Sequence, residues 1–128
     1  VEAAGGFTCE PKKIISGGPM MGVAMYTLDV PVQKTSSAIL AFEEDEVELF
    51  ESSPCIRCGR CVAACPSHLV PQKLELAARM FDNETFEKLN GMECYECGSC
   101  TYVCPAGRRL TQALKQTRRA VLDARKKK

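Results

Sequence analysis

The sequence predicts an α+β chain in which a short β-rich segment precedes a helical, cysteine-rich one. Three observations carry that expectation. Eight of the nine cysteines lie between Cys55 and Cys104, in two runs that repeat at a constant offset of 39. Residues 12–42 alternate short apolar runs with Gly and Pro breaks, as strands and turns do. Beyond Ser53 the apolar residues recur instead at helical spacing.

In chain order, Val1 to Ala4 reads as the end of a helix stopped by Gly5-Gly6. Three strands are expected next, at 12–16, 23–28 and 37–42, with Gly17-Gly18-Pro19 and Asp29-Val30-Pro31 as the breaks between them. Three strands are too few to make a sheet with two covered faces, so this segment reads as the tail of a β-rich domain. Residues 43–51 then place six acids in nine positions. A solvated linker is the plain reading of such a run, and docking of a basic partner or of the chain's own basic tail is the alternative. The expected organisation is a strand region at 1–42, an acidic linker at 43–53 and a cysteine-rich domain at 54–128.

In that last domain Pro71 suits the first turn of a helix whose inner face carries Leu74, Ala77, Ala78 and Phe81. Asp82-Asn83 should stop it or cap another over Glu84 to Leu89, ended by Asn90-Gly91. From Arg109 onward, Leu110, Ala113, Leu114, Val121 and Leu122 define one face of an amphipathic helix, with the basic residues on the opposite face and at the end.

Composition narrows the function classes. Ordinary hydrophobic content, 45%, argues against disorder, but only eight aromatic rings and no Trp leave a thin apolar core, so another stabilising element is expected. The longest weakly polar stretch, Ile14 to Leu28, is shorter than the roughly 18 residues of a membrane span and is broken by glycines and a proline. The opening residues lack the pattern of a secretion signal and do not begin with Met, so the expectation is a cytoplasmic segment that starts inside a longer protein. A net charge of +1 hides a split: residues 1–107 carry 8 basic and 15 acidic groups, residues 108–128 carry 9 and 1.

The cysteines carry the chemistry. Cys55, Cys58, Gly59, Cys61, Cys65 and Pro66 recur as Cys94, Cys97, Gly98, Cys100, Cys104 and Pro105, so the segment is a doubled supersecondary unit. Each copy matches C-x2-C-x2-C-x3-C-P, the run of bacterial two-cluster ferredoxins. Three thiolates at successive intervals of three can wrap three corners of an iron–sulfur cube, and Gly59 or Gly98 eases the close approach of the backbone. The fourth cysteine, expected on a short helix, advances about 6 Å along the axis toward the neighbouring site. The expected ligand sets therefore exchange one member: Cys55, Cys58, Cys61 and Cys104 for one 4Fe-4S cluster, Cys94, Cys97, Cys100 and Cys65 for the other. Pro66 and Pro105 turn the chain away once the last ligand is placed. Zinc, the usual competitor, prefers C-x2-4-C pairs with a longer spacer, and disulfides need an oxidising compartment. Arg57 and Arg60 flank the first run, whereas Glu93, Glu96 and Ser99 occupy the second, so the first cluster should be the easier to reduce.

The segment Ile14-Ile15-Ser16-Gly17-Gly18-Pro19-Met20-Met21-Gly22, followed by Leu28-Asp29-Val30-Pro31-Val32 and then by the doubled cysteine run, resembles the C subunit of the Rnf electron-transport complex. The resemblance covers nearly the whole chain. It implies that residues 1–42 are the end of a soluble-ligand-binding β-grasp domain with the strands after it, and that residues 54–128 form a helical two-cluster ferredoxin-like domain. The offset of 39 leaves room for a helix between the runs, which suits that form better than the compact β-hairpin ferredoxin. It further implies a peripheral subunit on the cytoplasmic face of a membrane complex that moves electrons between ferredoxin and NAD while translocating sodium ions or protons. FMN and NAD(H) would bind a preceding domain that this chain lacks. No nucleophile or acid–base pair emerges here, so the segment reads as an electron relay within an oxidoreductase and not as a complete enzyme. The rivals are the related corrinoid (cobalamin) reductase, which has the same arrangement, and a free-standing ferredoxin-like module.

Several residues remain as lesser candidates. The Gly17 to Gly22 turn is structural in its plain reading and a phosphate or flavin cradle in its sharper one, with Met20, Met21 and Met25 as core or interface filler. Cys9 reads as a free thiol, and His68 as a surface or supporting residue with a proton-coupling role as the alternative. Tyr95 and Tyr102 stand beside ligands of the second cluster, where packing is the simpler account and an electron path the other. The basic tail, Arg118, Arg119 and Arg125 to Lys128, suits a solvated helix end, or contact with an acidic ferredoxin or anionic lipid. It lacks the interleaved aromatics of a nucleic-acid binder, and no nucleic acid is expected.

Overall fold

A computed structural model describes residues 1–45 and 51–127. The chain divides into two compact units, Val1–Phe50 and Glu51–Lys128. The acidic run falls at their junction, and its residues 46–50 lie outside the described residues.

The first unit opens with a single 3-10 turn, Glu2–Ala4, closed by Gly5 at φ 96°. Its sheet has three antiparallel strands, β1 (Lys13–Ser16), β2 (Val23–Met25) and β3 (Ile39–Phe42), in the order β2-β1-β3. Ile15 pairs with Ala24 on one side and Leu40 on the other. All three strands are shorter than expected, most of all β2, which stops before the fully exposed Tyr26. Ile15 is the one buried side chain among the unit's described residues. Gly22 closes over it: a Cβ there would press on the Ile15 side chain and on the carbonyls of Gly18 and Ser16. The Gly22 N–H donates to Gly18 O and the Gly17 N–H to Ala38 O, so these turn amides are spent within the fold. Met20 and Met21 are exposed, contrary to a core role.

Among the described residues the second unit holds five α-helices, α1 (Arg60–Ala63), α2 (Pro71–Arg79), α3 (Asn83–Lys88), α4 (Ser99–Tyr102) and α5 (Leu110–Lys126), and a 3-10 turn at Gly91–Glu93. The sequence repeat is also a backbone repeat. α1 and α4 begin 39 residues apart, as do α2 and α5, and the left-handed residues Arg57, Gly59 and His68 recur as Glu96, Gly98 and Gly107. The copies part after that: α2 runs nine residues and is followed by α3, whereas α5 runs seventeen. No described helix is long and apolar enough to cross a membrane.

Pro71 starts α2 at a position where its missing N–H costs nothing. Asp82 caps α3, its Oδ1 accepting the Thr85 N–H at 2.9 Å. Leu74, Ala77, Phe86, Leu69 and Leu114 meet in a core against which Cys65, Leu89, Met92 and Cys94 also pack. Gly91 lies under the Phe86 ring, where a side chain would collide with it.

Four expectations need correction. Phe81 is 84% exposed and not on the inner face of α2. The helix ends at Arg79, and Phe81, at φ 55°, turns the chain so that the Asp82 N–H reaches Ala77 O; Phe86 fills the core instead. Leu122 is 37% exposed, while Thr111 and Thr117 are buried on the inner face of α5. The fourth cysteine of each run lies two residues past its short helix, because α1 and α4 close at Ala64 and Val103; it is the third, Cys61 or Cys100, that is helical. The basic residues after position 107 are also not all solvated: Arg108 bonds the buried Glu75, and Arg118 donates to Glu96 Oε1 at 2.9 Å and to Met92 O at 3.1 Å.

Candidate metal centre

Two small cavities of nearly equal size lie in the cysteine-rich unit. The first is lined by Cys55, Cys58 and Cys61 with Cys104, the second by Cys94, Cys97 and Cys100 with Cys65. The crossing of one cysteine from each half is matched by its neighbours. Pro66 and Pro71 accompany Cys65 to the second cavity, and their repeat partners Pro105 and Leu110 accompany Cys104 to the first.

Local backbone geometry explains how each run bends around its cavity. Arg57 and Glu96 at φ 56°, then Gly59 and Gly98 at φ 77° and 85°, are left-handed residues between the ligand candidates. They fold the run back on itself so that three cysteines border one cavity, and the glycines carry the second turn without strain. The short helix that follows presents the third cysteine, and the turn before Pro66 or Pro105 delivers the fourth to the other cavity.

The donor set is soft and uniform, with four thiols bordering each cavity. Four cysteines at one cleft, three of them from a C-x2-C-x2-C run, suit the four corners of an iron–sulfur cube.

The sulfurs are not electrostatically equal. Burial pushes the Cys61 and Cys94 thiols up, and for Cys94 the neighbouring Cys100 and Cys65 add to the effect. The Ser99 hydroxyl, 3.4 Å from Cys97 Sγ, pulls that thiol down. Backbone N–H groups of Leu69 and Glu96 donate to Cys65 and Cys94 at 3.4 Å. Such bonds favour the charged sulfur that binds metal.

Three features escape a reading of cysteine spacing alone. Gln72 and Thr111, 39 apart at the second positions of α2 and α5, lie beside Cys61 and Cys100 at 3.2 and 3.5 Å. The extension of the same offset to two polar residues is the signal that could have found them. Arg108 borders the first cavity where its repeat partner at the second is Leu69. Arg108 is held in its charged form by Glu75 above all, and then by attraction to Cys55 and Cys104.

The other candidates scatter. Tyr95 borders the second cavity while largely exposed, and Tyr102 is 82% exposed, so the expected packing against that site is absent from Tyr102. His68 is exposed in a left-handed turn that follows Cys65, and Cys9 is an exposed free thiol in the first unit.

Residues 54–108 match the 4Fe-4S dicluster domain family. The chain is 53% identical over 76 residues to the C subunit of the proton-translocating ferredoxin:NAD(+) oxidoreductase complex of Clostridium ljungdahlii, a match covering 59% of this chain and 17% of that protein. It is 48% identical over 71 residues to the C subunit of the Na(+)-translocating ferredoxin:NAD(+) oxidoreductase complex of Acetobacterium woodii, covering 56% and 16%. It is 49% identical over 75 residues to the C subunit of the ion-translocating oxidoreductase complex of Rhodobacter capsulatus, covering 59% and 14%. The matched part is thus less than a fifth of the length of each relative. The cysteine-rich unit is a domain for two 4Fe-4S clusters, and the chain that carries it is a homologue of the C subunits of Rnf-type ion-translocating oxidoreductase complexes.

Proposed function

We propose that Cys55, Cys58, Cys61 and Cys104 hold one 4Fe-4S cluster, that Cys94, Cys97, Cys100 and Cys65 hold the other, and that this chain is the electron-relay part of a C subunit in a membrane-bound ion-translocating ferredoxin:NAD oxidoreductase complex. The observation that carries the reading is the pair of matched cavities, each lined by three cysteines of one run and the last cysteine of the other. Bound there, the clusters supply one-electron storage and transfer. The chain's own residues bind them through thiolates, orient the sulfurs through left-handed turns, and limit water through Leu69, Leu110 and Leu114 at the cavity walls.

The wider context is part of the same proposal, supported by the names of the relatives only as far as membership of an ion-translocating complex. The protein sits peripherally on the cytoplasmic face of the membrane beside the other members of the complex, and FMN and NAD(H) bind parts of the parent protein outside this chain. Residues 1–42 are the end of its β-grasp region, 43–53 the acidic linker and 54–128 the relay domain. Arg118 and Arg125 are held by Glu96 and Glu87, so Arg119 and Lys127 are what the tail offers to an acidic ferredoxin or to anionic lipid.

Anaerobic reconstitution followed by iron and sulfide counting tests the core of this reading, with about eight irons expected per chain. Cys104→Ser should disturb the spectrum of the cluster that Cys55→Ser disturbs, and Cys65→Ser that of the Cys94 cluster. Colourless, folded protein holding zinc alone would overturn the reading.

A further inference from the structure

Two polar side chains outside the cysteine runs reach candidate ligand sulfurs, and they do so from equivalent places. Gln72 Oε1 lies 3.2 Å from Cys61 Sγ, and Thr111 Oγ1 lies 3.5 Å from Cys100 Sγ. Both pairs keep the offset of 39, and each polar residue borders the cavity its cysteine faces. A thiol can donate to the Gln72 carbonyl, but a thiolate needs a donor; turning the amide over presents Nε2–H to it. A threonine hydroxyl donates by rotating its proton alone.

The second site also contains a device that aims that proton. Thr101 Oγ1 accepts the Thr111 backbone N–H at 2.8 Å and stands 2.8 Å from Thr111 Oγ1. Either hydroxyl of this pair can donate to the other; when Thr101 donates to Thr111 Oγ1, the Thr111 proton is left for Cys100. The repeat partner of Thr101 is Val62, so the first site has no counterpart. Thr111 and Cys100 are buried, whereas Gln72 and Cys61 are half-buried. A hydrogen bond in the drier setting is electrostatically stronger.

We propose that Thr111 and Gln72 set the reduction potentials of the two clusters, each by one hydrogen bond to the third cysteine of a run, with Thr101 as the positioning residue for Thr111. This rests on the ligand sets proposed above. Reduction adds one electron and breaks no bond; the added negative charge is shared by the ligand sulfurs, and a donor to sulfur favours that state. Removing the donor therefore lowers the potential of its own cluster and leaves the other unchanged.

The test uses the full chain reconstituted with both clusters, titrated under spectroscopic observation with iron counted in each variant. Thr111→Val should lower the equilibrium constant for reducing the Cys94 cluster about tenfold, which is 59 mV for one electron. Thr111→Ser should keep the original value, and Gln72→Leu should shift the Cys55 cluster by less. Hyperfine spectroscopy in D2O should detect one exchangeable deuteron at the Cys94 cluster beyond those of the Leu69 and Glu96 amides and the Ser99 hydroxyl, and Thr111→Val should remove that one alone. Unmoved potentials with about eight irons retained, a shift of both clusters together, or no deuteron lost in Thr111→Val would overturn the proposal. Failure of the ligand sets shows separately, as iron loss that does not follow the Cys-to-Ser pattern above.

Discussion

Arg57 and Glu96 occupy the same place in the two halves of the repeat, both left-handed at φ 56°, and they carry opposite charges. Each borders its own cavity. A second exchange of the same sense sets Arg108 at the first cavity against Leu69 at the second. Arg118 and Lys115 moderate the negative end, reaching Glu96 at 2.9 and 3.9 Å, as Glu75 moderates Arg108.

The net asymmetry still favours added negative charge at the first site. On charge alone the cluster bound by Cys55, Cys58 and Cys61 is expected to be the easier to reduce, by a modest amount that the Thr111 bond at the other site opposes and that shrinks as salt rises. A redox titration with spectra assigned through Cys-to-Ser variants checks the order. Arg57→Glu should narrow the gap, and the reverse order in Thr111→Val, where that bond is gone, would refute the argument.

Glu75 and Arg108 join α2 to the turn before α5, and their side chains are only 10% and 14% exposed. Arg79 is 3.9 Å from the same carboxylate but largely exposed, so it replaces little of the lost partner. Arg108→Met leaves a buried carboxylate and should cost about 3 kcal/mol. The readout is a lower midpoint for thermal bleaching of the cluster absorbance. Arg79→Met, a control that removes a surface pair, should cost less than about 1 kcal/mol.

Gly91 is required by space. Gly91→Ala places a methyl against the ring of the fully buried Phe86 and should destabilise the unit by about 1–3 kcal/mol. Combining it with Phe86→Leu should recover part of that loss in a double-mutant comparison, since the two changes share one volume. Strict additivity of the two penalties would show that the contact is not what matters.

The Asp82 carboxyl is held below its ordinary value of 3.8 by its hydrogen bonds to Thr85. The folded state therefore binds that proton more weakly than the unfolded chain does. Its stabilising contribution is fully present above the unfolded value and is lost as pH falls through the folded one. Asp82→Ala should accelerate hydrogen exchange of the α3 amides at neutral pH, with the difference from the parent shrinking on acidification below 3.8. A difference that is the same at both pH values would mean that the charged cap is not responsible.

What could be read from the residues, and what could not, divides along a physical line. The cysteine spacing is legible because a cube demands local ligand intervals, and the helix starting at Pro71 is legible because proline and helical periodicity act within a few residues. Phe81 defeats that logic: periodicity assigns it to the inner face, but the helix closes at Arg79 and a left-handed turn sends the ring outward. The reach of α5 was visible, whereas the burial of Thr111 and Thr117 was not, since a buried hydroxyl is tolerated only where a partner exists. Those partners, Thr101 and the Ala113 carbonyl, are respectively a tertiary neighbour and a helical one. The salt links Glu75–Arg108 and Glu96–Arg118 span 33 and 22 residues, beyond any pattern that charge spacing reveals.

The crossing of Cys65 and Cys104 makes the two halves mutually dependent, like two clasps that each fasten on the other's strap. A cut in the exposed turn around Asn90 would leave either fragment with three sulfurs facing its own cavity and one facing nothing. On the proposed ligand sets, damage to one half strips an anchor from the other. That interdependence leaves the flanking positions, such as Arg57 and Glu96, as the places where the copies are free to differ.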